Sequence, residues 1–155
     1  MYESNEIKRK VLLIAPRQQV WEALTDAEQF GSWFGIALEG KRFEAGQPIK
    51  AQITYPGYEH VVWNAKIERI EPQTLFSFSW HPYAVDKDAN YDAETPTLVE
   101  FTLEDHAEGI LLRVVESGFD SLPEARRPKA FKKNSRGWDD QMANIEDYLA
   151  KSHRP

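Results

Sequence analysis

The chain has 155 residues, of which 41% are hydrophobic and 28% charged, and it contains no cysteine, so disulfides, thiolate nucleophiles and cysteine-ligated metals are excluded. That length and composition fit one folded globular domain over residues 1–155 rather than a disordered chain. The formal net charge of −6 gives no general attraction to nucleic acid or to an anionic membrane, and neither is expected as a partner.

The chain begins with a polar, acidic segment over residues 1–6. The longest aliphatic run, residues 11–15, is too short for a signal core or a membrane span. We therefore expect a cytoplasmic protein that does not associate with membranes.

Residues 7–14 are predicted to form the first strand. Pro16 then suits the first turn of a helix, because its missing N–H would have no partner there. A second short helix follows and holds Phe30 on its apolar face. Gly31 is predicted to end this second helix.

From residue 40 onward the hydrophobic period changes from helical to two, which is the period of half-buried strands. Five segments show this period: residues 49–55, 61–68, 75–80, 98–103 and 110–115. One face of the resulting antiparallel sheet is expected to be strongly aromatic and aliphatic. A long polar stretch over residues 81–96 interrupts the pattern, and we interpret it either as a cover or as a disordered excursion.

The last part of the chain returns to a helical period, and we place the regular helix after Pro128. Its apolar residues fall within about 60° of one another on a helical wheel and must be buried. They are Phe131, Trp138, Met142, Ile145 and Leu149. Gly137 lies in the middle of this helix, where it costs about 1 kcal/mol relative to alanine. Either a close backbone approach or room for a ligand would account for it.

The titratable residues form no recognisable metal or catalytic motif. An acidic run over residues 86–94 resembles a calcium loop, but Tyr91 stands where that loop needs glycine and Thr97 where it needs glutamate. The four histidines have no ligand spacing, and there is no nucleophile elbow or glycine-rich phosphate loop. We therefore predict no metal and no cofactor, and we leave the catalytic residues unassigned.

Two polar features are candidates for function. His81 and Tyr83 follow a predicted strand end, where the mouth of a pocket could lie. Arg126, Lys129, Lys133 and Arg136 follow one another at steps of three and four residues along the last helix, and this basic stripe could meet a phosphate or an acidic protein partner. On a helical wheel this stripe falls opposite the apolar residues, where a solvated face belongs.

The chain has more large aromatic side chains than a core of this size ordinarily needs. A wide curved sheet can use them for packing, and it can also line a ligand-sized cavity with them. We predict such a cavity between the sheet and the last helix. The candidate ligand-binding residues are Trp33, Phe34, Trp63, Phe78, Trp80, Phe101, Phe119, Trp138 and Met142.

Short motifs over nearly the whole chain resemble the SRPBCC superfamily. They are Ala15-Pro16, Val20-Trp21, Ala23-Leu24-Thr25-Asp26, Trp33-Phe34, Gly40, Phe43, residues 70–80, residues 97–103, Glu116-Ser117-Gly118-Phe119 and Gly137-Trp138. The chain is most similar to the branch named for the C-terminal domain of the activator of the heat-shock-protein-90 ATPase, whose relatives include polyketide cyclases and steroid and lipid carriers. The resemblance implies an α+β helix-grip fold, a curved antiparallel β-sheet around a long C-terminal α-helix, with two short helices after the first strand.

This superfamily reuses one cavity for binding, transport and cyclisation, so the resemblance specifies a fold better than an activity. We predict that the chain binds a small hydrophobic or aromatic molecule in that cavity. One alternative is a cyclase or hydrolase in which a cavity residue moves a proton. Another is a chaperone-linked protein-binding domain that uses the Lys129, Lys133 and Arg136 surface.

Overall fold

The computed structural model describes residues 5–84, 91 and 94–152. Its elements are β1 (Glu6–Leu13), α1 (Arg17–Thr25), α2 (Ala27–Phe34), β2 (Pro48–Gln52), β3 (Val62–Glu71), β4 (Leu75–Trp80), β5 (Thr97–His106), β6 (Gly109–Ser117), a short 3-10 helix (Phe119–Ser121) and α3 (Arg127–Ser152). Two short helices therefore follow the first strand, and a long helix ends the described part of the chain. This arrangement confirms the predicted α+β helix-grip fold.

The strands form one antiparallel sheet in the order β1-β6-β5-β4-β3-β2. Strands β2 to β6 are sequential neighbours, and β1 pairs with β6 at the other edge. Cross-strand pairs on the inner face include Phe78 with Val99 and Phe101 with Val114, all of them buried. The period-two pattern therefore identified the aromatic and aliphatic face correctly.

Helix α3 lies against β1 and α2. The residues of its apolar stripe are at most 5% exposed at Trp138, Met142, Ile145 and Leu149. The fifth member, Phe131, is partly buried and packs edge-to-face on Phe119, with ring centroids 5.2 Å apart. Arg9 of β1 donates its Nε–H to Asp139 at 2.6 Å, which attaches the helix to the edge strand.

An aromatic cluster around Phe30 fills the core between α2 and the central strands. The Phe30 ring centroid lies 4.7–6.4 Å from seven other rings. These rings belong to Trp33, Phe34, Phe43, Trp63, Phe76, Phe78 and Phe101. This part of the interior is packed with side chains, since edge-to-face and stacked ring pairs leave little free volume.

Several predicted boundaries are wrong, and α3, for example, begins at Arg127 rather than after Pro128. Helix α2 does not end at Gly31, which is buried within the helix where a Cβ would overlap the carbonyl oxygen of Ile36. It ends at Phe34, and the next residue, Gly35, has a φ of 94°, in the left-handed region that glycine adopts without strain. The strand predicted over residues 49–55 is also shorter, because β2 stops before Ile53, which forms an isolated bridge with Ile36.

Only part of the polar segment over residues 81–96 is described, and most of the acidic run compared with a calcium loop lies outside the described residues. Arg126 attaches the described part to the start of α3. Its guanidinium makes two 2.8 Å hydrogen bonds with the carboxylate of Glu94. It also donates to the carbonyl oxygens of Pro82 and Tyr83, at 3.0 and 3.1 Å.

Helix α3 has 26 residues, which is long enough for a bilayer, but many of them are charged. Among the helices of the described residues, none is both long and apolar enough to cross a membrane.

Candidate functional site

A cavity of about 900 Å³ lies between α3 and the end of the sheet formed by β2, β3 and β4. Its wall is built from the C-terminal end of α2, the segment that follows β2, strand β3, the residues after β4 and the middle of α3. A volume of this size is in the range of small-molecule sites. The cavity therefore lies beside the packed Phe30 cluster and not in place of it.

Four side chains form what we call the aromatic wall of this cavity: Phe34, Trp63, Trp80 and Trp138. The Phe34 ring centroid lies 6.3, 6.0 and 6.0 Å from those of Trp63, Trp80 and Trp138, respectively. The rings of Trp80 and Trp138 are 6.2 Å apart. The aromatic wall thus joins α2, the sheet and α3 through direct ring contacts.

The nine predicted ligand-binding residues fall into two groups. Those of the aromatic wall line the cavity. The other five lie in the packed core and do not line it: Trp33, Phe78, Phe101, Phe119 and Met142. The sequence pattern could not separate the groups, because it shows which residues face inward but not how deep they lie. Contact between a ligand and any of the nine stays a prediction.

Gly137 leaves the α3 side of the cavity open. It lines the cavity, and a Cβ built there would meet no atom within 4 Å. No close backbone approach therefore explains this mid-helix glycine, and open space on the cavity side is the remaining explanation of the two that the sequence allowed. This contrasts with Gly31, where the neighbouring backbone excludes a side chain.

The rim of the cavity is polar. Four tyrosines contribute to it: Tyr55, Tyr58, Tyr83 and Tyr91. The rim also includes His60 and His81, and the polar side of α3 supplies Lys133, Asn134, Arg136, Asp140, Gln141 and Asn144. His81 and Tyr83 thus lie at the cavity, as the sequence predicted, and the described part of the 81–96 segment forms one of its walls.

A buried carboxylate stands behind the aromatic wall. Glu116 is fully buried and accepts four hydrogen bonds. Its Oε2 accepts from Trp80 Nε1 at 2.7 Å and from Thr97 Oγ1 at 2.5 Å. Its Oε1 accepts from Trp138 Nε1 at 2.8 Å and from Asn134 Nδ2 at 2.9 Å. Burial raises the pKa of the Glu116 carboxyl, and the four hydrogen bonds oppose that rise.

Glu116 fixes the orientation of two aromatic-wall residues, since an indole N–H can only donate and both donate to this side chain. The sequence motifs alone gave Glu116 no role. A signal was present, however: Ile110, Leu112 and Val114 alternate on the inner face of β6, and all three are buried. Glu116 continues the same alternation, so an inward-facing glutamate could have been expected.

Two buried polar atoms of cavity-lining residues have no hydrogen-bond partner among the described residues. They are Nε1 of Trp63 and Nδ1 of His81. A buried donor without an acceptor costs about 1–3 kcal/mol, so such atoms are uncommon in protein interiors. In the described lining, Asp140 alone carries a carboxylate. No three His, Asp or Glu side chains of the described residues converge where they could hold a metal ion.

The basic stripe of α3 lies beside the cavity. Lys133 and Arg136 line it, and the Nζ atoms of Lys129 and Lys133 lie 5.7 and 6.0 Å from the ring centroid of Tyr83. The side of α3 opposite its apolar stripe therefore faces both solvent and the cavity, and two of these cations lie at the cavity rim. Binding of a protein partner by this stripe stays a prediction.

A family model described as "Activator of Hsp90 ATPase homolog 1-like protein" matches residues 14–150. The chain belongs to this family. Membership confirms the resemblance to the SRPBCC superfamily that the sequence motifs indicated. The match leaves out the whole of β1 and the last two residues of α3, and it covers the other helices and strands. A comparison with curated proteins gives no match.

Solved structures share the fold of this family member. DynU16, from the dynemicin biosynthetic locus, has a TM-score of 0.71 and 20% identity over 97% of this chain, which spans only 49% of DynU16. MLL2253 from Mesorhizobium loti has a TM-score of 0.72 and 19% identity, over 96% of this chain and 99% of that one. BH1534 from Bacillus halodurans has a TM-score of 0.68 and 23% identity, over 96% and 99%. At these identities the likeness shows the fold alone.

Proposed function

We propose that this family member binds a small aromatic or apolar molecule in the cavity, against the aromatic wall. The observation that carries this proposal is a space of about 900 Å³ bounded by four large rings, next to the packed Phe30 cluster. Burying about 300 Å² of a ligand's apolar surface in the cavity would stabilise the complex by roughly 7 kcal/mol, because that surface is removed from water. The cost of immobilising the ligand offsets part of this gain.

Filling the cavity from Gly137 tests the proposal. Gly137→Leu places a side chain in the open space on the cavity side of α3. The variant is expected to fold, because leucine is the better helix former. Ala143→Leu is the matched control, since Ala143 is exposed on the same helix and does not line the cavity.

The assay is a thermal-shift screen with aromatic and apolar metabolites, followed by native mass spectrometry of the hits. The wild type and Ala143→Leu should gain thermal stability with a hit, and Gly137→Leu should not. The proposal fails if no compound stabilises the wild type, or if Gly137→Leu responds to the same compounds as strongly as the wild type does.

Acid–base catalysis in the same cavity is a second candidate function, favoured by the position of His81. Its Nδ1 is buried without a partner among the described residues, and the side chain lines the cavity next to Tyr83. In a cyclisation or hydrolysis, His81 would move a proton while the aromatic wall holds the substrate in a reactive pose. His81→Asn should then keep ligand binding and lose turnover of the bound compound. Equal turnover in both proteins would reject this candidate.

A further inference from the structure

We propose that the molecule taken by this cavity carries an anionic group, such as a carboxylate or sulfonate, beside its aromatic or apolar body. This inference rests on the proposed binding function and specifies the class of ligand. It follows from the charge of the cavity lining and from the open space at Gly137.

The charge of the α3 side of the cavity differs from that of the whole chain. Lys133 and Arg136 line this side together with one carboxylate, Asp140, whereas the chain as a whole has a formal charge of −6. In the described part of the chain, no carboxylate oxygen lies within 4.0 Å of the charged nitrogens of Lys133 or Arg136. These two cations therefore make no ion pair within the described part of the chain, and a cavity lined by a local excess of positive charge attracts anions.

Lys50 also borders the cavity, but its side chain is directed away from the aromatic wall. In the β2–β3 register Lys50 pairs with Asn64, while Ala51 pairs with Trp63. Side chains that pair directly across two strands share one face of the sheet, and adjacent residues point to opposite faces. The side chain of Lys50 therefore stands on the face opposite to the aromatic wall.

Gly137 connects the cations with the aromatic wall. It follows Lys133 by four residues and so lies on the same face of α3, one turn later. It is also directly next to both Arg136 and Trp138 in the sequence. Because a Cβ at this position would meet nothing within 4 Å, a ligand can lie across the helix here. Its rings would then contact the aromatic wall, and its anionic group would face Lys133 and Arg136.

The test uses two fluorescent probes that differ in a single group. 1-Anilinonaphthalene-8-sulfonate carries a sulfonate, and N-phenyl-1-naphthylamine is the same molecule without it. The binding variant is Lys133→Gln/Arg136→Gln. The charge-matched control is Lys10→Gln/Lys132→Gln, because both of these lysines are exposed and neither lines the cavity.

In the binding variant, the dissociation constant of the sulfonate probe should rise about tenfold or more, because charge-assisted hydrogen bonds to the sulfonate are lost. The constant of the neutral probe should stay unchanged in that variant. Both constants should stay unchanged in the control variant. Higher ionic strength should weaken binding of the sulfonate probe only.

The outcomes separate this inference from the function on which it rests. If the neutral probe binds the wild type and Gly137→Leu abolishes that binding, the cavity is a binding site. If the ratio of the two dissociation constants is then the same in the wild type and in the Lys133→Gln/Arg136→Gln variant, the anion inference is overturned. If neither probe binds the wild type, or Gly137→Leu has no effect on either, the proposed function itself has failed.

Discussion

Replacing Glu116 with glutamine tests whether one buried carboxylate holds the aromatic wall in place. Each carboxylate oxygen accepts one hydrogen bond from an indole, Trp80 or Trp138, and one from an adaptable group, Thr97 or Asn134. A glutamine offers an oxygen on one side and an NH₂ group on the other. The hydroxyl of Thr97 or the amide of Asn134 can turn to accept from that NH₂, but an indole cannot. One indole N–H is therefore left without an acceptor.

The expected loss of stability follows from that single unpaired group. A buried donor left without an acceptor costs about 1–3 kcal/mol. For a chain of 155 residues each kcal/mol lowers Tm by about 2–4 °C, so a decrease of roughly 2–12 °C is expected. Glu108→Gln is the control, because Glu108 is exposed in the turn between β5 and β6. Its free energy of unfolding should change by less than about 0.5 kcal/mol.

The dependence on pH gives an independent readout with a defined sign. Burial raises the pKa of Glu116 above the ordinary value of 4.5, so in the window above 4.5 the native state holds a proton that the unfolded state has released. The wild type therefore loses stability from this group as pH rises through the window. Glutamine does not titrate. The free energy of unfolding of the wild type should therefore exceed that of Glu116→Gln by the largest amount near pH 4.5, and this difference should become smaller as pH rises.

Urea unfolding followed by tryptophan fluorescence, repeated over a series of pH values, measures both effects. A protonated Glu116 can still accept from both indoles, since its hydroxyl oxygen keeps a lone pair, and this separates it from glutamine. The reasoning is refuted if Glu116→Gln is as stable as the wild type near pH 4.5. It is equally refuted if the difference between the two proteins widens with rising pH.

Three other substitutions test local features of the fold. Gly137→Ala should raise the free energy of unfolding by about 1 kcal/mol, because the new methyl group meets no atom and alanine favours the helix; a loss of stability in urea would contradict this. Gly31→Ala should lower it by about 1–3 kcal/mol, because the methyl group would overlap a backbone carbonyl oxygen, and an unchanged urea midpoint would show that the turn can yield. Arg126→Lys keeps the charge but loses the two-point pair with Glu94, and a loss of about 1–3 kcal/mol is expected. Arg113→Lys, in an exposed pair, should change stability by less than about 0.5 kcal/mol, and equal effects at Arg126 and Arg113 would argue against the proposed attachment.

The order of elements and the inner face of the sheet were predictable from hydrophobic periods. An alternation of two in β4 directs Phe78 and Trp80 to the same face, and a period of 3.6 directs Trp138 and Met142 of α3 toward it. These predictions succeed because the direction of a side chain depends on the backbone geometry of its own element. The same local information explains why Gly137 could be recognised as unusual within a helix.

Tertiary structure alone decided which inward residues reach the cavity. Phe78 and Trp80 are two residues apart on one face, yet the Phe30 ring covers Phe78 at 6.2 Å while Trp80 lines open space. Whether a helical glycine is crowded, as Gly31 is, or open, as Gly137 is, likewise depends on atoms outside its own helix. Direction is a property of one element, whereas depth and free volume depend on the distance between elements, and that distance results from the packing of side chains contributed by the whole chain.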